Sequence, residues 1–133
     1  MKTPFDFLDR IFLINLPERT NQLMDAMYEC DKIGIKPRIE VISPRKTEEE
    51  GIRQGMIEAL TRGKDQRILI LEDDVKFVNA TNVFAKSFEQ VRYDDWMILF
   101  LGVCSHVPKF KKYDNWHLLK QGYGGNGIIV NKH

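Results

Sequence analysis

Only two cysteines occur among the 133 residues, Cys30 and Cys104, and no C-x-x-C brings a pair together. This excludes a disulfide scaffold and a cysteine-based zinc cage, and it fits a reducing, cytoplasmic compartment. Net charge is equally scarce. Twenty basic against 19 acidic residues leave +1, so no global field steers the chain toward nucleic acid, an anionic membrane or an acidic partner. No apolar run is long enough for a membrane span, and Asp6, Asp9 and Arg10 interrupt the stretch from Phe5 to Leu16, which argues against a signal peptide. A P-loop, a G-x-S-x-G elbow, internal repeats and low-complexity tracts are also missing.

What is present suits a single domain over residues 1–133, since 43% hydrophobic and 29% charged residues can build one core but hardly two. Ile11 to Leu16 (IFLINL) is a nearly continuous apolar run, the pattern of a strand covered on both faces. Leu23, Met27 and Cys30 then fall on one stripe of a helix from about Glu18 to Ile33, with Gly34 as its stop. Arg38 to Ile42 alternates like a half-buried strand. Thr47 and Glu50 form a capping box before a second helix with Ile52, Met56, Ala59 and Leu60 inward, ended by Gly63.

Arg67 to Leu71 (RILIL) reads as a second fully buried strand that runs straight into Glu72, Asp73 and Asp74. A third helix is expected over 81–91 with Phe84, Phe88 and Val91 inward, capped by Asn79 or Thr81. Trp96 to Leu101 reads as a third buried strand. Beyond it the text is irregular, basic and aromatic, with short strands only at His117 to Leu119 and Ile128 to Val130. This alternation predicts an α/β fold, a mostly parallel sheet flanked by helices. Such sheets bind ligands beyond the carboxyl ends of their strands, which directs attention to Asn15 to Arg19, Glu72 to Asp74, and the chain from Gly102 onward.

Three consecutive carboxylates at a sheet edge lose hydration and repel one another. A cation offsets that cost. At i and i+2 of an extended segment, Glu72 and Asp74 project to one side and are placed to share Mg²⁺ or Mn²⁺, while Asp73 points elsewhere. Such an ion completes its shell with water and substrate phosphates, which makes a nucleoside diphosphate compound the natural ligand. A solvated acidic turn is the bland alternative. Asn15 can recognise a base or ribose, and Arg19 can reach a phosphate near a helix N-terminus; as a turn residue and a solvated charge, they need do neither.

Gly122 to Gly127 (GYGGNG) satisfies G-x-G-x-x-G, but a strand-like run follows instead of a helix, so it is not a dinucleotide fingerprint. It remains suited to a wall of a ligand pocket, where a backbone must approach closely. The mixture Lys109, Phe110, Lys111, Lys112, Tyr113 and Trp116 fits a surface loop, and also contact with sugar rings or single-stranded nucleic acid.

The segments Ile11-Phe12-Leu13-Ile14-Asn15-Leu16 with Arg19, Ile68-Leu69-Ile70-Leu71-Glu72-Asp73-Asp74-Val75, and Asp94-Asp95-Trp96 leading to Phe100-Leu101-Gly102 resemble glycosyltransferase family 25. That family holds lipopolysaccharide galactosyl- and glucosyltransferases and collagen galactosyltransferases. The resemblance runs from about residue 10 onward, and LEDDV is its most specific part. It implies a GT-A-like, Rossmann-type fold and transfer of galactose or glucose from a UDP-sugar to a hydroxyl of a glycan or other acceptor, dependent on Mn²⁺ or Mg²⁺. Carried over by position, Asn15 and Arg19 sit against the nucleotide, Glu72 and Asp73 near the ribose and sugar, and Asp74 on the metal, with Glu72 beside it.

Departures accompany the likeness. Family members usually carry a Gly-Cys and a Ser-His before the acidic motif, where this chain reads GIRQGMIEAL over 51–60. The family's acceptor part continues past the strand matched by Gly127 to Val130, so here it is expected to be short or missing. Deprotonating an acceptor hydroxyl needs a base. Asp114, the one acid after the third apolar strand, is the single candidate, and nothing in its setting argues for it. A degenerate domain that binds a nucleotide sugar or a protein without turnover is the alternative. ILILEDDV also resembles the opening strand of response-regulator receivers, but there the motif starts the domain, whereas here it lies mid-chain.

Overall fold

The apolar run after Asp9 forms the first strand, β1 (Arg10–Ile14), whose residues Ile11 to Ile14 are all buried. The computed structural model describes residues 5–46, 48–77, 81–91, 96–101, 110–113, 116–118 and 127–132. After β1 come α1 (Thr20–Lys32), a 3-10 turn at Lys36–Arg38, β2 (Ile39–Ile42), α2 (Glu48–Arg62), β3 (Ile68–Glu72) and α3 (Thr81–Val91). Four short strands follow: β4 (Ile98–Phe100), β5 (Phe110–Tyr113), β6 (Trp116–Leu118) and β7 (Gly127–Val130). Gly34 ends the α1 unit with φ 80°, a left-handed conformation that costs glycine little. Among the described residues no helix is long and apolar enough to cross a membrane.

Five strands make the main sheet in the order β2-β1-β3-β7-β4. β1 is parallel to β2 and to β3, while β7 runs antiparallel to both β3 and β4. The chain thus leaves β1 for β2 on one side and returns past β1 to β3 on the other. The sheet is mixed α/β and mostly parallel, as expected, with β7 the one strand that opposes the rest.

Alternation along the strands sorts the core into two layers. Ile11, Leu13, Leu69, Leu71, Leu99 and Ile129 face α1 and α3, meeting Ala26, Cys30, Phe88 and Val91. Phe12, Ile14, Ile42, Ile68, Ile70, Ile128 and Val130 share the opposite layer with Ala59, Met56 and Leu60 of α2. The two layers are built differently. Phe5, Phe7, Phe84 and Phe88 stack under α3, with the Phe7 and Phe88 centroids 3.6 Å apart. α2 instead approaches the sheet through small residues: a Cβ on Gly55 would lie 2.8 Å from Ile14 Cγ2, and one on Gly51 would lie 2.8 Å from Leu16 Cδ2. That closeness leaves no room for larger residues at 51 and 55.

Three expectations need correction. Trp96 to Leu101 is not buried throughout: β4 is an edge strand of three residues, with Met97 75% and Ile98 42% exposed. A continuous apolar run carries no sign of which strand lies at the edge. The basic and aromatic stretch is not merely irregular, since β5 and β6 pair antiparallel with Tyr113 opposite Trp116 and a register shift between Lys111 and Tyr113. Asp114-Asn115 between two β-prone runs was the available hairpin signal. Finally, the extended backbone stops at Glu72, because Val75 N–H closes a turn onto Glu72 O at 3.2 Å. The alternation invoked to aim Glu72 and Asp74 the same way therefore does not extend to Asp74. The cap residues Thr47 and Asn79 lie outside the described residues; Glu50 accepts a hydrogen bond from Lys46 Nζ at 3.0 Å.

Candidate functional site

Ile14 stands opposite Glu72 in the β1–β3 register, so the two chains leave the sheet side by side at their carboxyl ends. The strand order reverses between β1 and β3, since β2 lies on the far side of β1 and β3 on the near side. Such a switch point leaves a crevice outside the strand ends. Into this place the fold brings Asn15, Arg19, Glu72, Asp73 and Asp74, five residues drawn from two segments 58 positions apart along the chain.

Asp73 is the centre of the arrangement, with a side chain only 2% exposed. Its Oδ2 accepts from Asn15 Nδ2 at 3.0 Å and from Leu16 N–H at 3.4 Å, and its Oδ1 from Arg19 Nη1 at 3.2 Å. Asn15 Nδ2 also donates to Arg19 O at 2.8 Å. Two acceptors on one side of the amide fix its orientation. The remaining atom, Oδ1, receives no protein donor among the described residues; an amide oxygen accepts from an N–H or O–H. A buried carboxylate supplied with a guanidinium and two further donors is chemically settled. Asp73 thereby ties the turn after β3 to the turn after β1, a role that the sequence reading did not assign to it.

Arg19 occupies the N-cap position of α1, just before the helix begins at Thr20 and not inside the first turn of a helix starting near Glu18, and the helix start has neither a side-chain cap nor an acidic residue in its first turn. Those unsatisfied N–H groups, with the positive end of the helix dipole, favour an anion. Arg19 keeps 39% of its side chain exposed, and its bond to Asp73 uses one of five donors.

Glu72 is half-buried and Asp74 exposed, and neither enters an ion pair among the described residues. Burial, then the charges of Asp74 and Asp73, push the Glu72 carboxyl above its ordinary value, with Arg19 opposing. An uncompensated acidic pair of hard oxygens fits a divalent cation that takes one or two carboxylates and fills its shell with water and phosphate. Among the described residues no group of three or more His, Cys, Asp or Glu side chains converges as a metal cage.

Behind the acidic turn, Glu29 of α1 accepts the Phe77 N–H at 2.9 Å, a contact that the sequence did not signal. Asp114 and residues 122–126 of the glycine-rich segment lie outside the described residues, while Gly127 opens β7 and its carbonyl accepts from Leu101 N–H at 2.9 Å. Comparison with protein-family models, with curated proteins and with solved structures finds no match for this chain.

Proposed function

We propose that the chain is the donor-binding domain of a metal-dependent glycosyltransferase of the GT-A type, which takes galactose or glucose from a UDP-sugar to an acceptor hydroxyl. One observation carries the reading: the Asn15–Arg19 segment and the Glu72–Asp74 turn, which resemble family 25, converge at the switch point of a mostly parallel sheet. Arg19 and the uncapped start of α1 suit a diphosphate. Asn15 Oδ1 suits a base or ribose donor, and Asp73 holds both residues in place. Asp74 and Glu72 would hold Mn²⁺ or Mg²⁺, and the bound ion supplies electrostatic stabilisation for charge developing on the departing diphosphate. Such neutralisation by a metal agrees with a chain whose net charge is only +1.

Titration calorimetry with UDP, with and without Mn²⁺, tests this. Binding should require the metal and fall at least tenfold in Asp74→Asn, the scale of one lost charged ligand contact; unchanged affinity in that variant defeats the metal assignment. A second reading, binding without turnover, draws on α2. The segment where the family carries Ser-His here presents Gly51, Gly55 and Ala59 to the sheet. UDP-sugar consumption in the presence of simple sugar acceptors separates the two.

A further inference from the structure

The acidic turn is fastened at its front by Asp73, but the chain beyond it, Val75 to Phe77, is neither strand nor helix. Past Val75, whose N–H closes the turn onto Glu72 O, its backbone donors need partners from elsewhere. We propose that Glu29 is a positioning residue for the acidic turn, holding the segment behind Glu72 to Asp74 against α1 through the Phe77 N–H. Oε1 of Glu29 takes that hydrogen bond at 2.9 Å while Oε2 pairs with Lys32 Nζ at 2.7 Å, and the side chain is only 14% exposed. Val75, 7% exposed, and Phe77 add their side chains to the same core layer as α1. The turn is thus clamped at both ends to one structural unit, β1 and α1: Asp73 to Asn15, Leu16 and Arg19 before it, Phe77 to Glu29 after it.

Clamping of this kind matters because the two carboxylates left for a ligand stand on a turn. A turn holds its ligand atoms in place only as well as its supporting contacts do. Lys32 and then the Phe77 amide hold the Glu29 carboxyl below its ordinary range, so the acceptor stays ionised at neutral pH. This inference rests on the nucleotide-binding reading of the site.

Three variants of the full chain test it. Glu29→Gln keeps an acceptor within reach of Phe77, Glu29→Ala removes it, and Glu29→Asp keeps the charge but shortens the reach and stands in if the alanine variant does not fold. Amide exchange at Phe77 and UDP affinity in Mn²⁺ are measured for each. Alanine and aspartate should speed exchange at Phe77 and weaken UDP by about tenfold, the scale of one lost charge-assisted hydrogen bond. Glutamine should restore both. Unchanged Phe77 exchange in the alanine or aspartate variant overturns the clamp, and faster exchange with unchanged affinity overturns its positioning role. If the wild-type chain binds no UDP, the nucleotide reading fails instead, and Phe77 exchange alone decides whether Glu29 holds the segment.

Discussion

At the amino end of the sheet, Arg10 meets Glu40 through two hydrogen bonds of 2.8 and 2.5 Å and also donates to Arg62 O at 2.6 Å, while Asp9 accepts the Arg67 N–H at 2.8 Å. At the carboxyl end, Asp73 is equally well supplied, yet Glu72 and Asp74 beside it enter no ion pair among the described residues. Glu72 is thus a half-buried carboxylate without an ion pair, beside the exposed Asp74, at the end where the strand order reverses between β1 and β3. A fold that neutralises acids where they only hold strands together and leaves them unmet beside the crevice concentrates its electrostatic cost at the ligand site. Asp73 is the structural acid within that end, and it divides the site into a part that is already satisfied and a part that awaits a cation.

The largest expected effect comes from removing this acid. Asp73→Ala would leave the Arg19 guanidinium, the Asn15 amide and the Leu16 N–H without their shared acceptor. Arg19, 39% exposed, can turn to water, but buried donors left without an acceptor cost about 1–3 kcal/mol each; urea unfolding should show a loss of that size or more. A loss no larger than that of an exposed pair would mean that the two ends are alike. Next is Gly55→Ala. Its Cβ would meet Ile14 Cγ2 at 2.8 Å, and pushing α2 off β1 by overpacking costs about 1–3 kcal/mol. The gain in helix propensity, about 1 kcal/mol, does not cancel the upper part of this range. Net destabilisation should appear in the same unfolding assay, accompanied by weaker UDP binding because Ile14 leads directly into Asn15. An exposed control, Gln54→Ala, should change neither.

Glu72→Gln has the opposite sign. The folded state raises the Glu72 carboxyl through burial and the neighbouring charges of Asp74 and Asp73. A raised value favours the protonated form, so the group's contribution is complete below its unfolded value and is lost as pH rises through the folded one. At neutral pH without metal the carboxylate is a burden, and glutamine should stabilise the chain by about 0.5–1 kcal/mol. Melting temperature followed upward from pH 4 checks this, because the variant's advantage should grow with pH. Mn²⁺ with UDP should raise the melting temperature of the wild type and leave that of Glu72→Gln unmoved.

Much of this contrast was visible in the chain itself. IFLINL and RILIL announced buried strands, the 3.6-residue stripes of Cys30, Ala59 and Phe88 announced the helix faces, and their order placed Asn15, Arg19 and the three acids at strand ends. The division of labour among the acids was not visible. LEDDV contains no glycine, proline or asparagine to mark the turn closed by Val75, so strand alternation seemed to continue, and Asp73 is buried only because Asn15 and Arg19 arrive from far along the chain. Glu29 was hidden for a similar reason, its partner being a backbone amide 48 residues away. Gly51 and Gly55 were legible in principle: two glycines one turn apart on the face of Ala59 cost helix propensity and therefore mark a close approach.

The smallest effect tests the other end. Hydrogen bonding to Arg10 holds the Glu40 carboxyl below its ordinary value, aided by the charges of Arg10 and Arg62 and opposed by burial. A lowered value means that the stabilisation is present above the unfolded value and is lost as pH falls through the folded one. Both side chains stay partly exposed, 28% for Arg10 and 38% for Glu40, so solvent screening limits Glu40→Gln to a loss of about 0.5 kcal/mol at neutral pH. That loss should disappear as pH falls through the lowered folded value, where the wild-type carboxyl also becomes protonated, and should shrink in high salt. Glu40→Gln and Glu72→Gln remove the same charge by the same change, yet their stability differences from wild type should run in opposite directions as pH rises. Two curves of the same sign would show that Glu72 is compensated after all, and the case for a cation at the carboxyl end would lose its electrostatic basis.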